Sequence, residues 1–359
     1  MIRNLREAIL FLNICRITNL KIINLVSDGN IYKLINIKKH MIKALLFFND
    51  RERKILEDML DSFNADYIND KLYSLSINYL TIVDKNYPQN LLNIYDAPAI
   101  IYYKGKFPKR LDNILAIVGN RKSSEYGKWA VEKIVKELAD YDVQIVSGMA
   151  LGIDRFAHLA AIDNKIPTIG VLASSLEIRY PKSNNDLYDL MNDELLISEF
   201  PLDTNPIKRN FVFRNRIISA LAFGTLVVEA QEKSGSLITA KYALEQNRMV
   251  YAIPGNINAL NSQGTNQLIK NGAKLIQDAE DIVNEIPYIN EIRKINEMKQ
   301  IKLDKKIDQE IYALLEDKIL SVNDISNLTS YNISEIYQSL FNLENKKLIN
   351  KLDANYYSR

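Results

Sequence analysis

Cysteine and histidine are nearly absent: 359 residues supply one thiol, Cys15, and two imidazoles, His40 and His158. A single thiol excludes an intramolecular disulfide framework, and so few soft ligands leave no Cys/His cluster for zinc. Composition leaves a carboxylate-bound magnesium open, but no acidic spacing announces one, so no metal and no cofactor is expected. Long apolar runs are also missing. No stretch approaches the ~18 apolar residues of a membrane span. The one suggestive run, residues 8–12, is short and bracketed by Glu7 and Arg16, and no small-residue cleavage site follows it. A cytoplasmic protein with no membrane contact is therefore expected. Charge of one sign is lacking too: 46 Lys and Arg against 44 Asp and Glu leave +2. Such a balance gives little long-range attraction to phosphate, so any anion binding must come from local charge.

What is present is an ordinary globular composition, 47% hydrophobic and 25% charged, in a chain long enough for two or three domains. Glycine is concentrated. Ten of 12 lie between Gly119 and Gly272, which marks the middle of the chain as the part built around a site. Apolar, β-rich runs at 114–118, 143–146, 168–172, 195–197, 225–228 and 250–253 alternate there with helical stretches, among them 124–140 and one starting near Asp154. This alternation predicts an α/β fold with a mostly parallel sheet covered by helices on both faces. Ligands of such sheets sit at the carboxyl ends of strands, beside helix N-termini.

Residues 1–80 carry leucine and isoleucine at helical spacing through 5–17, 20–26, 31–42 and 51–63, which predicts a small all-helical domain. The sheet is expected over 81–283. A polar, glycine-free linker is expected over 284–306. Over 307–359, helices at 308–315, 321–328 and 334–344, with Ser321 and Ser334 as N-caps, precede a hairpin at 348–352 and 355–357. This order predicts a winged helix.

Four constellations sit at predicted strand ends. Gly119-Asn120-Arg121 offers a turn and a guanidinium able to grip phosphate oxygens. The stretch from Ser147-Gly148 to Asp154 bends at two glycines and enters a helix, but it matches neither Walker A nor Gly-x-Gly-x-x-Gly; Asp154 is expected to cap or clamp the loop. His158 is expected to be a packed or hydrogen-bonded helix residue. From Thr204 through Val228 there is no Asp or Glu, while Lys208, Arg209, Arg214 and Arg216 are interleaved with Phe211 and Phe213. Cations neutralise phosphates and rings stack on bases; the plainer alternative is core phenylalanines and surface ion pairs. Ser234-Gly235-Ser236 opens a helix, as an oxyanion seat or as simple capping. No acid–base pair, triad or metal set accompanies these parts. The site is read as one that holds phosphate and breaks no bond.

In this order the motifs resemble the DprA/Smf family. The likeness runs from Gly119-Asn120-Arg121 with Tyr126-Gly127, through Ser147-Gly148 to Asp154, Ala157-His158, Tyr180-Pro181-Lys182, Ser198-Glu199-Phe200-Pro201, Phe213-Arg214-Asn215-Arg216, Val227-Val228-Glu229-Ala230 and Ser234-Gly235-Ser236. It closes at Pro254-Gly255, Gly264-Thr265-Asn266 and Gly272-Ala273. Asn120, Val212 and residues 173–175 depart from the family pattern. The resemblance implies an extended Rossmann-like domain, a helical (SAM-like) N-terminal domain and a winged-helix tail. It further implies a non-catalytic, homodimeric protein of natural transformation and DNA recombination. Such a protein binds single-stranded DNA and loads a RecA-type recombinase, with a single-strand-binding protein as a further partner. Carried over residue by residue, Arg121, Lys182, Arg214 and Arg216 are the expected positive positions, and Gly119, Ser147, Gly148, Ser234 and Gly235 the backbone-presenting ones. Asn120, Lys208, Arg209, Phe213, Asn215 and Ser236 complete the expected DNA-binding set.

Two other classes fit parts of the sequence. Gly224 to Glu229 is faintly like the glycine-rich motif of nucleoside-monophosphate phosphoribohydrolases, which would make Glu229 catalytic. A Rossmann-like sensor joined to a winged helix could be a transcription regulator. However, the predicted third helix carries Glu335, Gln338 and Glu344, with Lys346 and Lys347 only beyond it, so a protein contact suits it better than base reading.

Overall fold

The apolar runs of the central region become strands buried on both faces. In the computed structural model, which describes residues 2–108, 110–286, 305–315, 319–345, 349–352 and 355–358, the strands are β1 (Asn78–Thr81), β2 (Ile100–Lys104), β3 (Ile114–Val118), β4 (Gln144–Ser147), β5 (Thr168–Val171), β6 (Leu195–Ser198), β7 (Gly224–Val227), β8 (Met249–Ala252) and β9 (Lys274–Leu275). Their order is β1-β2-β6-β5-β4-β3-β7-β8-β9. From β6 to β9 all neighbours are parallel. Every residue of β3 to β7 is buried, which is why these segments read as continuous apolar runs without alternation. The mostly parallel α/β sheet expected from sequence is what forms.

Helices cover both faces. On one, α6 (Glu125–Leu138) and α7 (Ile153–Asp163) pack over Leu115, Ile117, Ile145 and Leu226. On the other, α5 (Gln89–Leu92), α9 (Lys208–Leu221) and α10 (Gly235–Glu245) pack over Ala116, Val146, Ile169 and Val227. The remaining helices of this part are α8 (Asn185–Leu190), α11 (Gln263–Lys270) and α12 (Glu280–Val283). Because β4 flanks β3 on one side and β7 on the other, the topology reverses at β3. This is the position at which open α/β sheets leave a crevice.

Ahead of the sheet come α1 (Leu5–Ile14), α2 (Asn19–Ser27), α3 (Asp50–Leu60) and α4 (Ala65–Ser74). The single helix expected at 31–42 is two 3-10 turns, Asn30–Leu34 and Lys39–Ala44. Asn36 breaks it with φ 56°, a left-handed conformation that asparagine tolerates. These helices do not stand alone. Phe11, Ile22 and Leu56 share a core with Tyr102, Met149 and Leu196 of the sheet region. The Tyr102 hydroxyl donates to Asn13 Oδ1 at 2.9 Å. By contact density, Met1–Glu291 form one compact unit.

Ile292–Arg359 form the other. Within it α13 (Lys306–Leu314), α14 (Val322–Leu328) and α15 (Ile333–Asn345) enclose Ile311, Leu315, Ile325, Ile336, Leu340 and Leu343. Strands β10 (Leu320–Ser321), β11 (Asn350–Lys351) and β12 (Tyr356–Ser358) form an antiparallel sheet with β12 central. Ser321 caps α14 in a capping box with Asp324. The cap of α15 is Asn332 and not Ser334, since the Asn332 side chain accepts from the Glu335 N–H and the Glu335 carboxylate accepts in return. Most of the linker expected over 284–306, and also Lys346, Lys347 and Leu348, lie outside the described residues.

Candidate nucleic-acid interface

A groove of about 510 Å³ opens at the carboxyl ends of the strands, at the topological reversal. Each wall comes from a different strand end. Gly119 and Arg121 follow β3, Ala150 and Asp154 follow β4, and Tyr180 follows β5. Lys208, Phe211, Val212, Arg214 and Asn215 belong to α9, which follows β6. Lys233, Ser234, Gly235 and Ser236 follow β7.

Phe211 is the hub of the cationic side. The Arg121 guanidinium lies 4.9 Å from its ring centroid and that of Arg214 5.9 Å, while the Tyr180 ring lies at 5.6 Å. Stacking on a ring orders the Arg121 guanidinium without neutralising it. Helix α9 starts without a side-chain cap and with Lys208 and Arg209 in its first turn, where acids are normally placed. Each such cation opposes the helix dipole by about 0.3–1 kcal/mol. Across the groove, Ser234 caps α10, its Oγ accepting from the Ser236 N–H, and it also donates to Asn120 Oδ1 at 3.0 Å. Hydroxyls, uncapped N–H groups and cations that make no ion pair among the described residues therefore face one cavity, an arrangement suited to an anionic chain.

Beneath the groove lies a charged support. Arg214 is buried, and its Nη1 donates to the carbonyls of Gly148, at 2.7 Å, and Val171. Burial pulls its pKa down to about 10, so it remains charged at neutral pH. Asp154 is buried in the first turn of α7, whose N-cap is Gly152 at φ 74°. Burial pushes its carboxyl up, against the pull of Arg214, the Ala150 N–H, Arg121 and Ser147. It thus clamps the loop and does not cap the helix. Gly148 is needed because a Cβ there would stand 2.7 Å from both Arg214 and Asp154. Gly119 is needed for packing, since its Cβ would meet Ile153 at 2.5 Å. The Cβ position of Gly235, by contrast, is open. Ser147 is fully buried, its Oγ donating to the Ile117 carbonyl. His158 is also fully buried, with Nδ1 2.8 Å from Thr168 Oγ1; burial and then Arg214 bring its pKa to about 3.

The basic stretch of α9 is divided by its own geometry. Phe213 and Arg209 line a different cavity, and Arg216 is buried in an ion pair with Glu199 at 2.6 Å. Read as a linear tract, 208–216 looked like one surface. At 3.6 residues per turn, however, 208, 211, 212 and 215 share one side and 209, 213 and 216 another. That projection picks out Phe211, which the sequence offered as a stacking ring; Tyr180, named there only within the Tyr180-Pro181-Lys182 motif, and Lys233, not named, follow β5 and β7 and lie outside it. Lys182 is exposed and does not line the groove; two residues on, Asn184 donates to the carbonyls of Met149 and Ala150, tying this segment to the β4 loop. Glu229 is a structural tie: its carboxylate accepts from the N–H and Oγ of Ser124 and from Asn261. Among the described residues no group of three or more His, Cys, Asp or Glu could hold a metal ion, and no helix is long and apolar enough to cross a membrane.

A family model described as DNA recombination-mediator protein A matches residues 78–287. The DNA processing protein DprA of Streptococcus pneumoniae is 44% identical over 214 residues, 58% of this chain and 74% of that protein. The DprA of Bacillus subtilis is 45% identical over 213 residues, 59% and 72% of the two chains. The X-ray structure of the S. pneumoniae protein superposes with a TM-score of 0.70 at 34% identity, covering 80% of this chain and 100% of that one. A structure of DprA from Helicobacter pylori, solved for its single-stranded DNA binding mode, gives 0.52 at 31% identity and covers 58% and 95%.

Proposed function

This chain belongs to the DNA recombination-mediator protein A family, the DprA/Smf proteins, and on that premise we propose that it binds single-stranded DNA in the strand-end groove. The observation that carries the reading is Phe211, flanked by Arg121 and Tyr180 in a cavity that Lys208, Lys233 and the start of α10 also line. A ring for bases beside cations for phosphates, which make no ion pair among the described residues, is the pairing that single strands require, because a duplex keeps its base faces stacked. The H. pylori relative, described by its single-stranded DNA binding mode, supports the same reading. Gly119, Arg121, Lys208, Arg214, Asn215, Ser234, Gly235 and Ser236 form the proposed interface, with Asn120, Ser147 and Gly148 behind it and Lys182 beside it.

The proposed task is to hold incoming or processed single strands, without chemistry on them, and pass them to a RecA-type recombinase during recombination and natural transformation. A homodimer working in the cytoplasm is part of the proposal. The C-terminal unit is proposed as a winged helix that meets protein partners. Its last helix exposes Ile333, Tyr337 and Phe341 at i, i+4 and i+8 and bears Glu335 and Glu344, which suits a protein surface better than phosphate.

Fluorescence anisotropy with labelled oligothymidine and a matched duplex, at two salt concentrations, tests the reading. Salt-sensitive preference for the single strand, lost in a folded Lys208→Ala/Phe211→Ala variant, is the expected result. Equal or stronger binding to duplex would refute it.

A further inference from the structure

Helix α9 has a second face. Away from the groove, between the α1–α2 turn and the β6–α9 loop, lies a cavity of about 660 Å³, a size that takes a small-molecule ligand. Phe200 and Phe213 line it with the carboxylates of Glu199 and Asp96, and so do the guanidinium-bearing Arg16 and Arg209. The proposed DNA groove uses none of these six.

Glu199 is the unusual member. Its side chain is only 4% exposed. Its Oε2 accepts from Arg216 Nη2 at 2.6 Å and from Asn19 Nδ2 at 2.9 Å, while its Oε1 has no donor among the described residues. A buried polar atom left without a partner is costly, so the position calls for an N–H. Asp96, 26% exposed, supplies a second carboxylate near the same guanidinium, its Oδ2 3.7 Å from Arg216 Nε. The Arg216 guanidinium lies 4.0 Å from the Phe213 ring centroid. Arg209 is exposed and makes no ion pair among the described residues, and the Arg16 guanidinium donates to Thr204 Oγ1 at 2.6 Å and makes no ion pair among them either.

Carboxylates ask for a flat edge of adjacent N–H donors, the phenyl rings for an aromatic plane, and the two arginines for an anion. Guanine offers adjacent donors at N1 and the 2-amino group. Adenine places an acceptor at N1. We propose that this cavity binds a guanine nucleotide, with the base edge toward Glu199 and Asp96, the ring against Phe213 and the phosphate at Arg16 and Arg209. The site is separate from the groove and does not rest on the single-stranded DNA reading. Its ligand can come from a free mononucleotide or from the terminal nucleotide of a bound strand.

Calorimetric titration of the full chain with GMP and with AMP tests the proposal. A second arm compares 5′-phosphorylated oligothymidine with the same oligomer bearing one terminal dG. The expected result is saturable GMP binding at least tenfold tighter than AMP, about 1.4 kcal/mol. Arg209→Ala, at an exposed position, should weaken it by at least fivefold, while Lys208→Ala on the groove side leaves it within twofold. A gain from the terminal dG without binding of free GMP also supports the site and assigns the strand as the source. Equal binding of GMP and AMP overturns the base assignment. Loss in Lys208→Ala but not in Arg209→Ala overturns the location. No GMP binding combined with no gain from dG overturns the proposal altogether.

Discussion

Arg214 and Arg216 stand two residues apart on α9, and their guanidinium groups serve opposite sides of it. Arg214 donates to the carbonyls of Gly148 and Val171 beneath the groove, and Arg216 donates to the buried carboxylate of Glu199. Two residues along an α-helix turn about 200°, so neighbours in a basic tract need not share a surface. Arg216→Ala leaves Glu199 buried and deprived of its cation, a change that typically costs about 3–5 kcal/mol. Urea unfolding should show this loss, with the single-strand affinity of the folded protein changed less than threefold. Unaltered stability together with a shallower salt dependence would instead put Arg216 on the DNA.

Phe211 and Phe213 should separate in the same way. Phe211→Ala removes a stacking surface worth about 1–3 kcal/mol per base, so single-strand affinity should fall roughly 5- to 150-fold. Phe213→Ala should act on thermal stability, since its ring packs against Arg216. Anisotropy and a thermal melt on both variants decide it. Equal losses of affinity would show that the helix turns differently against the strand.

Lys208 and Arg121 are predicted to contact phosphate directly. Each alanine substitution should lower the slope of log affinity against log salt by about 0.7 for a single strand, uniformly across sequences. A loss confined to particular base compositions would mean that these side chains read bases.

The sheet was legible because β3 to β7 are buried on both faces and so announce themselves as unbroken apolar runs. β1 and β2 were not. They pair antiparallel at the sheet edge, and β1 follows α4 after only three residues, where Leu75 and Ile77 extend the helical pattern. Glycine clustering located the site, but the reason for each glycine lay in distant partners: Ile153 for Gly119, and Arg214 with Asp154 for Gly148. The strand ends that converge were readable. Which face of α9 converges with them required the helix to be built, because Lys208 to Arg216 carries cations on both sides and its buried acid, Glu199, belongs to a different element.

Those glycine distances give a stability test. Gly148→Ala forces a Cβ against a buried arginine and carboxylate and should destabilise by a few kcal/mol, as overpacking does. Gly235→Ala meets open space at the start of α10 and should leave the thermal midpoint unchanged or slightly raised. If Gly235 faces the bound strand, the same substitution lowers single-strand affinity. A Gly235→Ala protein with an unchanged thermal midpoint and full affinity would remove Gly235 from the interface.

His158 predicts how stability responds to acid. In the unfolded chain its imidazole takes up a proton below about 6.5, whereas in the fold burial and the nearby Arg214 hold that uptake down to about 3. Between these values the unfolded state binds the extra proton. The stabilisation is therefore fully present above pH 6.5 and is lost as pH falls toward 3, at up to about 1.4 kcal/mol per pH unit for one proton. His158→Gln keeps a polar group near Thr168 Oγ1 and has no proton to take up. Urea unfolding of both proteins from pH 7.5 to pH 5 should show a steeper decline for the parent chain than for the variant, with the two curves converging at low pH. Parallel curves would mean that His158 takes up its proton in the fold near the ordinary 6.5, against its burial beside Arg214.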